Sequence, residues 1–178
     1  LAHPNELNYA SYGVGSQPHL LFEMLRKATG AQIQQVSYRG IAPALTAVIA
    51  NDVQTTLGTG VDRGGLIASG KLEPIALSRP VREKTLPNVP TLSESGFPQI
   101  DPHSWFGLFA PPNMPLELLK KISGDVAQTI NDPEFRTRFI SDAGFTGVGS
   151  NPEQFAKFIA DDLSYKRNLI ATVGIKPE

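Results

Sequence analysis

Asn8-Tyr9-Ala10-Ser11-Tyr12-Gly13-Val14-Gly15-Ser16-Gln17-Pro18-His19 is the stretch whose reading decides the fold. Leu7 to Ala10 predicts a short strand that bends through Gly13 and Gly15. Beyond the bend, Leu20, Leu21, Met24, Leu25 and Ala28 recur at helical spacing. Glycine supplies positive φ and lets a ligand approach the main chain without meeting a Cβ. Ser16 has the residue type of an N-cap, and Pro18 is tolerated in a first turn, where its missing N–H costs little. Strand, glycine turn and helix N-terminus together form an anion site built from backbone amides and the helix dipole. An ordinary tight βα turn is the competing reading. Gly13-Val14-Gly15-Ser16 lacks the third glycine of a dinucleotide fingerprint, and no acidic residue lies at the expected place about 20 residues on.

The same unit recurs. Gln34 to Tyr38 predicts a strand, Arg39-Gly40 a turn, and Pro43 opens a helix carrying Leu45, Val48 and Ile49 on one face. Val53 to Leu57 predicts a third strand, followed by Gly58-Thr59-Gly60 and a short helix that ends near Ser69-Gly70. Leu72 to Leu77 is expected to be a fourth. Strands and helices alternating this closely imply a layered, parallel α/β sheet with right-handed crossovers. Ligands of such sheets lie at the carboxyl ends of the strands, where the glycine turns gather.

Pro80, Pro87, Pro90, Pro98 and Pro102 mark a surface-crossing loop with one helical turn at Leu92 to Ser95, taken as a boundary. The expected domains are 1–103, the layered α/β sheet with its glycine turns, and 104–178. The second begins with a strand over Ser104 to Ala110. Helices follow over 115–130, over 132–143 from an Asp132 cap, and from Asn151, where Gln154 completes a capping box. Their apolar stripes (Leu116, Leu119, Ile122; Phe135, Phe139; Phe155, Phe158, Leu163) need a sheet that the segment does not carry. Each such side chain left in water forfeits ~1.5–3 kcal/mol. Association with a second copy is therefore expected, by exchange or by pairing of strand 104–110 with its twin.

Composition narrows the function. The 178 residues are 40% hydrophobic and 19% charged, with a net charge of −1. No basic face for nucleic acid is indicated, and no apolar run approaches a membrane span of about 20 residues. Zero cysteines exclude disulfides and thiolate ligands, and suit an oxidising compartment. The start, Leu1-Ala2-His3-Pro4, is neither a signal peptide nor an initiator methionine, so the chain is expected to begin mid-protein or after processing. His3, His19 and His103 have no metal-ligand spacing. Ser16 and His19, three apart, offer a hydrolase-like nucleophile and base, but no orienting acid stands with them. Asp161-Asp162 reads as a solvated helix face. Arg39 could meet a carboxylate bidentately or simply lie on the surface.

Several motifs in order resemble the Bug-type (TctC-like) solute receptors of tripartite tricarboxylate transporters. They are Leu7 to Leu20, Val36-Ser37-Tyr38-Arg39-Gly40 through Leu45, and Gly70-Lys71-Leu72. Leu86 to Thr91, Glu94-Ser95-Gly96, Ser104 to Pro111 and Gly174 to Glu178 complete the series. The resemblance implies an α/β, type II (Venus-flytrap) periplasmic-binding-protein lobe with a parallel-type sheet. A C-terminal strand and helices would then belong to the other, incomplete lobe. It further implies capture of a small carboxylate (a di- or tricarboxylate, an aromatic acid or an amino acid), membrane transporter components as partners, a periplasmic location, and no cofactor, metal or catalysis.

Carried over from the family, the ligand-binding residues are Gly13, Gly15, Ser16, His19, Tyr38, Gly40, Ala42, Pro43, Ala44, Gly58 and Thr59. Ser16 and the amides after it, with those after Ala42, would hold carboxylate oxygens; Tyr38 and Thr59 would add hydroxyls. The chain departs from the family in lacking its N-terminal lobe segment. It also carries Gln54 where aspartate is common, and Gly58 to Asp62 where the family is bulkier. The alternatives are a Ser/His hydrolase-like α/β enzyme and a truncated, oligomerising domain without ligand function.

Overall fold

A computed structural model describes residues 6–58, 60–101, 104–141 and 145–175, and only the backbone of 60–63. The chain divides into two compact units, Leu1–Ser104 with Ile170–Glu178, and Trp105–Leu169.

The first unit is built on three parallel strands in the order β2-β1-β3, where β1 is Leu7–Ser11, β2 Ile33–Ser37 and β3 Thr55–Thr56. Register runs from Leu7 opposite Ile33 to Ser11 opposite Ser37, and sets Tyr9 and Ala10 opposite Thr55 and Thr56. Helices α1 (Gln17–Thr29), α2 (Ile41–Ile49) and α3 (Gly60–Ala68) follow the strands in turn. Successive strand residues face opposite sides, and β1 uses both. Tyr9 stacks on Phe22 of α1 with ring centroids 4.2 Å apart. Ala10 joins Ala44 and Ala47 of α2 and Val53 in a buried cluster. Alanine on strand and helix alike lets α2 sit close to the sheet. Both faces of β1 are covered, as a parallel sheet requires.

Several sequence expectations change here. The third strand is two residues long, because the Gln54 side chain takes the ladder position before it: its Oε1 accepts from the Asn8 N–H at 2.8 Å. Helix α2 begins at Ile41, so Pro43 is its third residue rather than its first. Leu72 to Leu77 is not a strand. Pro74 removes a donor, and one isolated bridge remains, Leu77 to Thr91. Around that bridge Leu77, Val89, Thr91, Leu92 and Ile100 form a buried patch. The turn at Thr91 to Ser95 is a capping box: Thr91 N–H donates to Glu94 Oε2 at 2.8 Å and Glu94 N–H to Thr91 Oγ1 at 3.1 Å. Arg82 Nε binds both Glu94 oxygens, at 3.1 and 2.9 Å. Those donors hold the Glu94 carboxyl below its ordinary range, the Thr91 amide contributing most. Further changes concern the second unit.

There, Ser104 to Ala110 is not a strand. It has no partner ladder among the described residues, and Phe106, Leu108 and Phe109 are each more than 70% exposed. Strand pairing with a twin therefore loses its basis. Helices α4 (Leu116–Asn131), α5 (Pro133–Phe135) and α6 (Pro152–Val173) were anticipated. The segment expected to be one helix over 132–143 is instead a short α-helical turn continued by a π-helical one, Arg136–Ser141. Both caps form as read: Asp132 Oδ1 accepts from Phe135 N–H, while Asn151 and Gln154 exchange side-chain-to-amide bonds. Asp161 is solvated, but Asp162 is buried and pairs with Lys166 at 3.0 Å, correcting the reading of both as an exposed face. Trp105 meets Phe155 and Phe158 edge-to-face at 5.6 and 5.5 Å. Even so, α4, α5 and the π-helical turn bury no residue.

Candidate functional site

Because the strands are parallel, the turns after β1, β2 and β3 leave the same edge of the sheet, and hydrogen bonds join them. Tyr38 N–H donates to Ser11 O at 2.8 Å, linking the first two turns. The Tyr12 hydroxyl donates to Leu57 O, linking the first and third. Ser11, fully buried at the strand end, accepts through Oγ from Gly13 N–H at 3.3 Å and from Gln35 Nε2 at 2.6 Å. Tyr12, Ser11 and Gln35 were not picked out from sequence. The position of Tyr12 and Ser11 directly before the glycines was the available signal, while Gln35 needs the strand register.

The glycines of the first two turns are there for geometry. Gly13, Gly15 and Gly40 have φ of 112°, 75° and 106°, values that L side chains rarely adopt. Ser16 is the N-cap of α1 by position but not by chemistry. Its Oγ donates to Gly13 O at 2.7 Å and accepts from Tyr12 N–H at 3.2 Å, closing the turn instead of capping the helix. The N-cap of α2 is Gly40, which has no side chain to cap with. Both helices thus begin without a side-chain cap and without an acidic residue in the first turn. Their first-turn amides and dipoles face the sheet edge, and neither first turn carries an anion of its own.

The remaining expected ligand residues fall into different places. His19 is buried, 8% exposed, and its Nδ1 accepts from Gly15 N–H at 3.0 Å. Burial pushes its pKa below the ordinary imidazole value; Arg26 adds to this and Glu23 opposes it. The Tyr38 ring is half-buried against the Ala10–Ala44 cluster. Ala42 and Pro43 are exposed, whereas Ala44 is wholly buried in the core, so its side chain is not available to a ligand. Gly58 lies beside α2: a Cβ there would be 3.8 Å from Ile41 Cδ1. Thr59 lies outside the described residues. The proton of Ser16 is committed to Gly13 O and the Nδ1 of His19 to Gly15, so these hydrogen bonds do not form a nucleophile–base pair.

Two hollows lie elsewhere, one of about 460 Å³ by Arg26, Lys27 and Thr172, the other by Gln128 and Phe135. No group of three or more metal-ligating side chains occurs among the described residues, and no described helix is long and apolar enough to cross a membrane.

Comparison with known proteins places this architecture. The family model "Tripartite tricarboxylate transporter family receptor" matches residues 1–175. BugT of Bordetella pertussis is 28% identical over 98% of this chain and 53% of its own. A solved R. palustris protein with adipate superposes with a TM-score of 0.92, at 26% identity, over 99% of this chain and 59% of that one. The periplasmic binding protein BugD gives 0.87 at 25% identity, over 99% and 60%. The chain spans about half the length of the curated relatives it matches. With nearly its full length inside one family model, and its sheet and helices superposing on solved binding proteins, the chain belongs to the receptor family of the tripartite tricarboxylate transporters.

Proposed function

We propose that this chain is the carboxylate-holding part of a periplasmic solute receptor that serves a tripartite transporter's membrane components. One observation carries the reading: α1 and α2 both open, without side-chain caps or acidic residues, at turns that are hydrogen-bonded together on one sheet edge. A carboxylate placed there would meet first-turn amides and two helix dipoles, each favourable for an anion. The glycines at 13, 15 and 40 leave that main chain open to approach, since a Cβ at any of them would meet nothing within 4 Å. The adipate-bound relative supports a small dicarboxylate as the ligand class. The protein binds and releases its ligand without turnover, in keeping with the engagement of Ser16 and His19 in the turn. Calorimetric titration of the full chain with adipate, malate, citrate, glutamate and glucose tests this. Heat from at least one acid and none from glucose is expected; silence across all four acids would refute it.

We also propose that the apolar faces of the second unit are covered by a second copy of the chain. Phe106, Phe109, Leu116, Ile122, Phe139, Phe158 and Leu163 are each at least 39% exposed, and large apolar side chains exposed together favour association. Without a strand at 104–110 the association would be helix-to-helix. Light scattering at micromolar concentration should report a dimer or larger; a monomer would contradict it.

A further inference from the structure

His19 occupies the third position of α1, where a capping box would place a glutamate reaching back to the N-cap amide. Here the imidazole reaches one residue further, to the amide of Gly15 at 3.0 Å. It does so while nine-tenths buried. Gly15 is held in the left-handed region, at φ 75°, and Ser16 fastens the other side of the same turn through Gly13 O. From this geometry we infer that His19 is a positioning residue: neutral, it holds the Gly15 amide and fixes the β1–α1 turn; protonated, it lets go.

The reasoning is one of donors and acceptors. An Nδ1 that accepts from an N–H carries no proton, so the ring's hydrogen sits on Nε2. Protonation puts a second donor opposite the Gly15 N–H, and that bond cannot survive. The groups around the ring are few. Glu23 and Arg26 follow on the same helix, paired with each other at 3.0 Å. The strands that pack against α1 carry no charged side chain, and Tyr9 on β1 is their one titratable group. Burial pushes that phenol above its ordinary value, with Glu23 adding to the shift and Arg26 opposing it, so Tyr9 stays neutral across the range in which His19 titrates. Burial is also the largest effect favouring neutral His19, so the switch sits on the acid side of 6.5. That the loosened turn would bind a carboxylate more weakly rests on the function proposed above; the hold on Gly15 does not.

Amide hydrogen exchange of the full chain, without ligand, tests the hold directly. The Gly15 protection factor should be steady near pH 8 and fall about fivefold as His19 titrates, the loss of one neutral hydrogen bond. His19→Asn, which keeps an acceptor near the Nδ1 position but does not titrate, should retain protection at every pH. His19→Leu should lack it throughout. A flat wild-type profile from pH 8 to 5, or the same fall in His19→Asn, would overturn the inference. Should the variants fail to fold, the nitrogen shifts of wild-type His19 decide: unprotonated Nδ1 at pH 8 supports it, and protonated Nδ1 overturns it. Titrating adipate at pH 8 separates the two claims. No heat there counts against the carboxylate reading alone, because the Gly15 profile is measured without adipate.

Discussion

One substitution made at three glycines should act in three different ways. At Gly15 an added Cβ meets nothing within 4 Å, so sterics are silent and the whole cost is backbone: φ is 75°. Placing an L residue there costs about 1–2 kcal/mol, and Gly15→Ala should destabilise by that amount. At Gly64, inside α3, the surroundings are equally open but φ is not positive. Gly64→Ala should therefore stabilise, by roughly 0.5–1 kcal/mol, through helix propensity. At Gly107 the Cβ would collide with Phe155 Cζ. The ring must move out of its packing with Trp105, and overpacking of this kind costs about 1–3 kcal/mol. Urea unfolding measures all three. In a chain of this size, 1 kcal/mol shifts the thermal midpoint by about 2–4 °C, which is well resolved. If Gly15→Ala and Gly64→Ala move the midpoint in the same direction, the backbone argument is wrong.

Other outcomes follow from single contacts. Tyr9 places its hydroxyl, buried, without a hydrogen-bond partner among the described residues, so Tyr9→Phe should be neutral or stabilising by about 1 kcal/mol; a loss beyond 1 kcal/mol in urea would reveal a partner. Thr91 is fully buried and its Oγ1 caps the Glu94 amide, so Thr91→Ala should cost about 0.5–2 kcal/mol, measurable by the same melt. Because His19 is held below its ordinary 6.5, the unfolded chain binds more protons between the two values. Stability is then complete above 6.5 and falls as pH drops toward the folded value. His19→Asn should lose that component, and an unchanged pH slope in the variant would contradict it.

The first unit was legible because its signals are local. The short strand at Leu7 to Ala10, the spacing of Leu20, Leu21 and Met24, and the glycines after each strand are enough to predict a parallel layered sheet. Where a long-range contact decides, the sequence is silent. Gln54 looks like a strand residue, yet its side chain occupies the ladder position of Asn8. Ser104 to Ala110 has β-forming composition but no neighbour to pair with among the described residues, and composition does not supply a partner. At the site, the strand ends and glycine turns were readable. The roles of Ser16 and His19 were not, since both depend on hydrogen bonds within a turn only a few residues wide. Ala44 was read as a ligand residue from its motif. The packing of α2 against Ala10 buries its side chain, which leaves only its main chain to a ligand.

The account stands on the sheet edge where the turns after β1 and β2 meet. Amide chemical shifts of the full chain titrated with adipate at pH 8 test it most directly. The account predicts saturable shifts at Gly13 to His19 and at Gly40 to Ala44, with residues 116–141 unmoved. Shifts absent from both turns, or confined to the hollow beside Gln128 and Phe135, would contradict it.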